Sequence, residues 1–346
     1  MTRLTPSRSR LSAAVVAAAL LAGCSSDAKP NATPTSAPPS PSASATPSAS
    51  PTPDGLRSPF TGLPVAELRP VVVVKVDNAV LARPQWGLDL ADVVYEEPVE
   101  GRTTRFVAIY SSKDAKEIGP VRSVRESDME LLSMYGKVAF AFSGGNRGVL
   151  SGVRSSGAVH EVSYNNTPGA YTTMGRRRDA YNFVTGTDRI LAHAPTAVKA
   201  RDIGFRFGAA PAGGKSGKSV SLVWSIYART GWTYSPAKKA YLRTMDGRPA
   251  MLRNGKQQSA PTVVIQYAKV RSSTYGDVSG ANSPYTVTVG SGKAVILRGG
   301  KAYTGTWKRS GKGPTRFVDA KGKDITLAAG PVWIMLTPND LKATVK

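Results

Sequence analysis

The sequence predicts an α/β domain followed by a mostly antiparallel β domain, a sandwich or small barrel. Three observations carry that prediction. Between residues 58 and 205 short apolar runs alternate with helix-like segments, the texture of layered strands and helices. From Ser219 onward strand-like alternation is broken by Asp246-Gly247, Asn254-Gly255 and Gly299-Gly300, dipeptides suited to hairpin turns whose central positions need positive φ. Charge divides at the same place: residues 58–205 hold 18 Lys plus Arg against 16 Asp plus Glu, and residues 206–346 hold 23 against 5, with no glutamate.

The N-terminus fixes the expected location. Arg3, Arg8 and Arg10 precede the apolar run Leu11 to Leu21, which is too short to span a bilayer as a mature helix. Leu21-Ala22-Gly23-Cys24 has the small residues and the thiol that bacterial lipoprotein processing requires. Residues 1–23 therefore read as a lipoprotein signal peptide and Cys24 as the lipidation site. Cys24 is the single cysteine, which excludes disulfides, cysteine-based metal sites and a thiol nucleophile in the folded part. Residues 24–57, rich in Ser, Pro, Thr and Ala, cannot bury enough apolar surface to offset ordering entropy and read as a disordered tether. At about 3.1 Å per residue it reaches up to roughly 100 Å from the anchor. The expected location is the extracytoplasmic face of the cell membrane.

Residues 58–205 are expected to form the α/β domain. Val71 to Val76 is a continuous apolar run, as in a strand covered on both faces, and it ends in the polar pair Asp77-Asn78. Arg83-Pro84 breaks the chain, Trp86 to Leu90 suits one helical turn, and Val93 to Tyr95 reads as a second strand. Glu96, Glu97 and Glu100 follow as an acidic cluster, then Thr103 to Tyr110 as a third strand. After the Gly119-Pro120 turn, Ser123 and Glu126 have the spacing of a capping box, with Leu131, Leu132 and Tyr135 as the apolar stripe of a short helix. Val138 to Phe142 is another buried strand, leading through Ser143-Gly144-Gly145-Asn146 into a helix that ends near Ser155.

Candidate binding residues gather at these strand ends and turns. Arg122 and Arg125 flank the expected helix start, where unpaired N–H groups carry partial positive charge, and with Ser123 they suggest a seat for an anion. A glycine-rich turn after a strand, here Gly144 and Gly145, offers backbone N–H groups to the same kind of ligand. Asp77, Asn78, Glu96 and Glu100 supply polar and acidic groups beside Arg83 and Arg105. Those carboxylates suit either an acid–base pair or an ion-pair network with the arginines, and their near-equal numbers favour the network. His160 and His193 lack a second histidine at metal-ligand spacing, and no Gly-x-Ser-x-Gly stretch exists. No catalytic residue, metal or cofactor is assigned. The basic run Arg176 to Arg178 reads as a solvated edge or an extension of the anion seat.

A set of short motifs resembles one bacterial family. Pro59-Phe60-Thr61-Gly62-Leu63-Pro64, Asp77-Asn78, Arg83-Pro84-Gln85, Ala91-Asp92-Val93-Val94-Tyr95-Glu96, Thr104-Arg105-Phe106 and Ile118-Gly119-Pro120-Val121-Arg122-Ser123 are similar to the YerB-like lipoproteins, domain of unknown function 3048. The likeness extends over residues 58–346. It implies a surface lipoprotein with an α/β domain followed by a β-rich one, and it brings no established activity. One departure is Ala180-Tyr181-Asn182 where the family is expected to carry Pro-His-Asn.

Residues 206–346 form the basic β-rich domain, entered through the linker Gly213 to Gly217. Expected strands are Val220 to Tyr227, Thr262 to Val270, Tyr285 to Val289, Lys293 to Leu297, Ala302 to Trp307 and Val332 to Leu336. Ala212 to Ser219 nearly matches a P-loop but lacks its first glycine and leads into a strand; Ser235 to Lys238 mimics Ser-x-x-Lys without a Lys-Thr-Gly partner. Lys293, Arg298, Lys301, Lys308, Arg309, Lys312 and Arg316, interleaved with Trp307 and Phe317, suggest a polyanion-binding surface. Outside the cytoplasm the fitting partners are anionic lipid headgroups or wall polymers, not nucleic acid, with membrane-bound cell-wall synthesis proteins as a further class. The expected function is non-catalytic: a lipid-anchored envelope protein that binds or scaffolds an anionic ligand or a membrane partner. The alternative is a wall-glycan hydrolase or transferase using the carboxylates of the first domain.

Overall fold

Four apolar runs of the first half become strands of one sheet in the structure, a computed structural model that describes residues 55–174, 182–276 and 280–346. The signal peptide, Cys24, the tether up to residue 54, Arg176 to Arg178 and the Ala180-Tyr181 departure lie outside the described residues. Strand β1 (Val72–Asp77) is buried along its whole length, as expected where both faces are covered. It is followed by β2 (Val93–Pro98), β3 (Thr104–Tyr110), α1 (Glu126–Leu132), β4 (Val138–Phe142), α2 (Arg147–Ser156) and β5 (Val159–Ser163). A short ladder of β6 (Tyr171–Thr173) and β7 (Phe183–Thr185) precedes α3 (Thr187–Ala192).

The second half is largely antiparallel. After β8 (Lys215–Ser216), the strands β9 (Ser219–Ser225), β10 (Ala228–Ser235), β11 (Ala240–Met245), β12 (Arg248–Pro249) and β13 (Ser259–Ala260) build a second sheet. It is completed by β21 (Thr344–Val345), which pairs with β9. β14 (Thr262–Ala268) opens a return to the large sheet, and β15 (Val270–Gly276) with β16 (Asn282–Thr286) forms a separate two-stranded arm. β17 (Gly290–Arg298), β18 (Lys301–Arg309), β19 (Arg316–Val318) and β20 (Val332–Pro338) then rejoin the large sheet. Asp246-Gly247 (φ 54° and 78°) and Gly299-Gly300 (φ 57° and 75°) make the expected tight hairpins; at Asn254-Gly255 only the glycine is left-handed. The strand expected over Thr262 to Val270 breaks after Ala268, where the chain leaves for the arm.

Both halves share the large sheet, whose order is β19-β18-β17-β14-β20-β2-β3-β1-β4-β5. β20 lies parallel to β14 on one side and to β2 on the other, with Val332 opposite Val93 and Met335 opposite Glu96. One face is covered by α1 and α2 through Leu131, Leu132, Tyr135, Val149 and Val153. The second sheet packs on the opposite face, where the Trp232 and Trp333 rings meet edge to face at 5.1 Å. Each of these tryptophans is 1% exposed, and truncating either to Ala costs about 3–5 kcal/mol. Along β9 buried and exposed residues alternate, so the outer side of this sheet meets water. The result is a layered α/β region followed by an antiparallel β region, with no closed barrel among the described residues.

Two local expectations are corrected. Ser123 is not a helix cap: α1 starts at Glu126, and the Asp128 carboxylate accepts the Arg125 N–H at 2.7 Å. The competing pattern two residues downstream wins because the backbone of residues 122 to 124 is already bonded to β1 and to the β4–α2 turn. The basic strip of the second half is also thinner than expected. Arg298 and Arg309 are buried and donate to the Thr326 and Glu130 carbonyls, while Trp307 and Phe317 face the core.

Candidate functional site: a three-arginine hollow

Strand alternation decides which charged groups meet. Arg105 on β3 lies opposite Asp77 on β1 and Glu97 on β2, so these three residues share the sheet face that carries the helices. The turn after β3 is pinned above that row. Arg122 N donates to the Lys75 carbonyl at 2.8 Å, Val124 N to the Gly144 carbonyl at 2.9 Å, and Ser143 N to the Arg122 carbonyl at 3.0 Å. Arg122 and Arg125 thus project from either side of Ser123, above Arg105.

Arg122 Nε pairs with Asp77 Oδ2 at 2.9 Å. Arg125 Nη2 pairs with Glu100 Oε2 at 2.6 Å, and its Nη1 donates to the Val124 carbonyl at 3.0 Å. Burial alone would raise the Glu100 carboxyl, but the Arg125 guanidinium and the Ser283 hydroxyl hold it below its usual range. Arg105 is treated differently. It is 8% exposed, its Nη1 donates to the Ser123 carbonyl at 3.3 Å, and no carboxylate of the described residues lies within ion-pair distance. The buried Nε atoms of Arg105 and Arg125 have no acceptor. Burial first, then the Arg125 charge, pushes the Arg105 pKa down to about 10, which leaves the guanidinium cationic at neutral pH.

These side chains line a hollow of about 240 Å³, to which Glu126, Asn146, Gly276 and Ser283 also contribute. Of the sequence candidates, Glu100, Arg105, Arg122, Ser123, Arg125 and Gly145 border it. Asp77 and Gly144 stand behind as braces, one as the Arg122 partner and the other through its carbonyl. The anion seat does not rest on the helix start, since α1 is only a two-turn helix.

Asn78, Arg83 and Glu96 do not join them. Glu96 follows the opposite sheet face from Glu97 and is fully buried between the sheets. There it accepts from Arg243 Nη2 at 2.8 Å and from the hydroxyls of Thr230 and Thr104 at 2.8 and 3.0 Å. Asn78 Nδ2 donates to Thr104 Oγ1 at 2.7 Å, and Arg83 binds the Asn78 carbonyl and Asp246. The Glu96 carboxylate is thus held by Arg243 between the sheets, apart from the Glu100 carboxylate at Arg125.

Two buried charges had escaped notice in the sequence. Lys75, inside the valine run, is 0% exposed and binds both Glu97 and Asp128, the latter at 2.7 Å. Burial and the Asp128 carboxylate push the Glu97 pKa up to about 7. Arg243, also fully buried, lies 5.1 Å from the Phe106 ring and 5.6 Å from the Trp333 ring. A lysine within an all-apolar strand, and an arginine on the inward period of Tyr241, Arg243 and Met245, are the signals that mark them. Among the described residues no group of three or more His, Cys, Asp or Glu is placed to hold a metal ion.

Comparison with known proteins gives consistent results over both halves. The family described as "Protein of unknown function (DUF3048) N-terminal domain" matches residues 60–201, and its C-terminal counterpart matches residues 220–334. A Bacillus subtilis (strain 168) protein named "Putative lipoprotein YerB" is 42% identical over 107 residues, 30% of this chain and 32% of that one. That stretch spans about a third of the relative's length. The crystal structure of YerB protein from Bacillus subtilis matches with a TM-score of 0.73 at 24% identity, covering 84% of this chain and 99% of that chain. At this identity the structural likeness speaks for the fold.

Proposed function

The chain belongs to the DUF3048 family, and on that premise we propose that it is a lipid-anchored envelope protein whose three-arginine hollow binds an anionic group outside the membrane. The anchor is Cys24 and the spacer is residues 24–57. The exposed lysines of the second half, Lys293, Lys301, Lys308 and Lys312, supplement this attraction to anionic lipid or wall polymer.

Arg105 carries the reading. A cation this buried normally has a carboxylate partner, because desolvation without compensation costs several kcal/mol. Its two neighbours have such partners and it does not. An oxyanion in the hollow would supply the missing acceptor, with hydrogen bonds to charged groups contributing about 1.5–3 kcal/mol each.

The test is Arg105→Gln, assayed for cosedimentation with purified anionic wall polymer and for thermal stability. Binding falls at least tenfold in the variant, and for the wild type it weakens steeply with added salt. The midpoint of unfolding of the free variant stays level or rises, since an unpaired buried cation has been removed. A variant that unfolds readily yet binds as well as the wild type would show Arg105 to be structural and overturn the reading.

A further inference from the structure

We infer that the occupant of the hollow is a singly charged phosphodiester, an inference that rests on the anion-binding reading above and narrows it. Charge balance comes first. Arg105, Arg122 and Arg125 line the hollow with Glu100 and Glu126, so the lining itself carries one net positive charge. Glu126 is engaged by the Thr274 N–H at 2.9 Å and by the Ser273 hydroxyl, and Asp77 backs Arg122. One negative charge offsets Arg105, the guanidinium of the three that has no carboxylate partner. A second would sit uncompensated beside the Glu100 and Asp77 carboxylates.

Phosphate diesters and monoesters differ in just this respect. A monoester takes up its second charge with a pKa near 6, whereas a diester has no second ionisable oxygen. Carboxylates are also singly charged, but their two oxygens lie in one plane. Here three guanidiniums approach from separate positions, Arg105 from the strand below and Arg122 and Arg125 from either side of the turn. A tetrahedral group directs oxygens toward separate donors, as a flat one does not. The hollow of about 240 Å³ has room for roughly eight waters. That suits a phosphate diester bearing two short polyols better than a disaccharide. Such diesters occur outside the membrane both in wall polymers of polyol phosphate and in phospholipid headgroups.

The experiment is calorimetric titration of the full chain in neutral maltoside micelles with glycerophosphoglycerol, glycerol 3-phosphate and lactate, at pH 8 and fixed ionic strength. The diester binds at least tenfold more tightly than the monoester or the carboxylate, and Arg105→Gln loses at least tenfold of that affinity. Arg105→Lys, which keeps the charge but not the fork, is the second variant should the first fail to fold, and it too weakens the diester. Phosphatidylglycerol added to the micelles competes with the soluble diester if the headgroup is the natural source and leaves it unaffected if the polymer is. A monoester that binds as tightly, or more tightly as pH rises from 5 to 7, overturns the diester assignment while the anion site stands, and so does a preference for lactate. No binding of any of the three overturns the anion site itself.

Discussion

Lys75 is the residue on which the interior of the α/β region turns. It holds two carboxylates, Glu97 from β2 and Asp128 from α1, in a space that water does not reach. Removing the shared cation strands both acids, so Lys75→Met destabilises by about 3–5 kcal/mol, read from urea unfolding. Glu97→Gln behaves oppositely. Because the folded state holds the Glu97 proton up to about pH 7, where the unfolded chain has already lost it near the ordinary value of 4.5, this group's stabilisation is complete below that value. It drains away as pH climbs to 7. The Gln variant lacks that loss, so the difference in unfolding midpoint, variant minus wild type, is more positive at pH 8 than at pH 5. Equal differences at both pH values would show that the Glu97 carboxyl is not raised in the folded state. None of this was legible in composition. The acidic cluster Glu96, Glu97 and Glu100 looks uniform in one dimension, and only strand alternation sends its first two members to opposite faces.

At the level of elements, three acids fasten the arm formed by β15 and β16 and the residues after it, two from α1 and one from the β2–β3 turn. Glu130 accepts from the Tyr285 hydroxyl at 2.9 Å, the Val289 N–H at 3.1 Å and the Thr288 hydroxyl at 3.0 Å. Glu126 holds Ser273, and Glu100 holds Ser283. Glu130→Ala leaves the Thr288 and Val289 N–H groups without their acceptor, and it costs about 2–3 kcal/mol given the usual value of hydrogen bonds to charged groups. Amide exchange should accelerate in residues 285 to 289 before the core strands respond. The existence and type of most strands could be read from the sequence, because Val138 to Phe142 and the Gly-Gly hairpin are strong local signals. The helix start could not. Ser123-x-x-Glu126 is the better local cap, since the Arg125 guanidinium cannot accept a helix N–H, and it is overruled by bonds to β1 and to the β4–α2 turn, far away in sequence.

For the whole molecule the decisive feature is that β20 stands between β14 and β2. The texture and charge of the chain change near residue 205, yet the large sheet crosses that point without a break. A fragment ending at residue 205 would leave the β2 edge, Val93 to Glu96, unpaired, and would uncover the face that Trp232 and Trp333 seal. Residues 58–205 expressed alone should give no cooperative melt, whereas the full folded part should show one transition by both far-ultraviolet and near-ultraviolet circular dichroism. A sigmoidal melt of the fragment would mean that the α/β region stands by itself. The arrangement of the hollow follows from the same continuity: its floor and turn come from the first half, while Gly276 and Ser283 on its wall come from the second.

The position of β20 also sets an order of events during synthesis. Chains emerge from the ribosome N-terminus first, and local pairs such as β2 with β3 form early. The slot at the centre of the sheet stays vacant until residues 332–338 arrive, after every other strand of the large sheet has been made. A prematurely terminated product therefore carries a gap through its middle and an open edge on each side, and proteases are offered a substrate that the finished protein never presents.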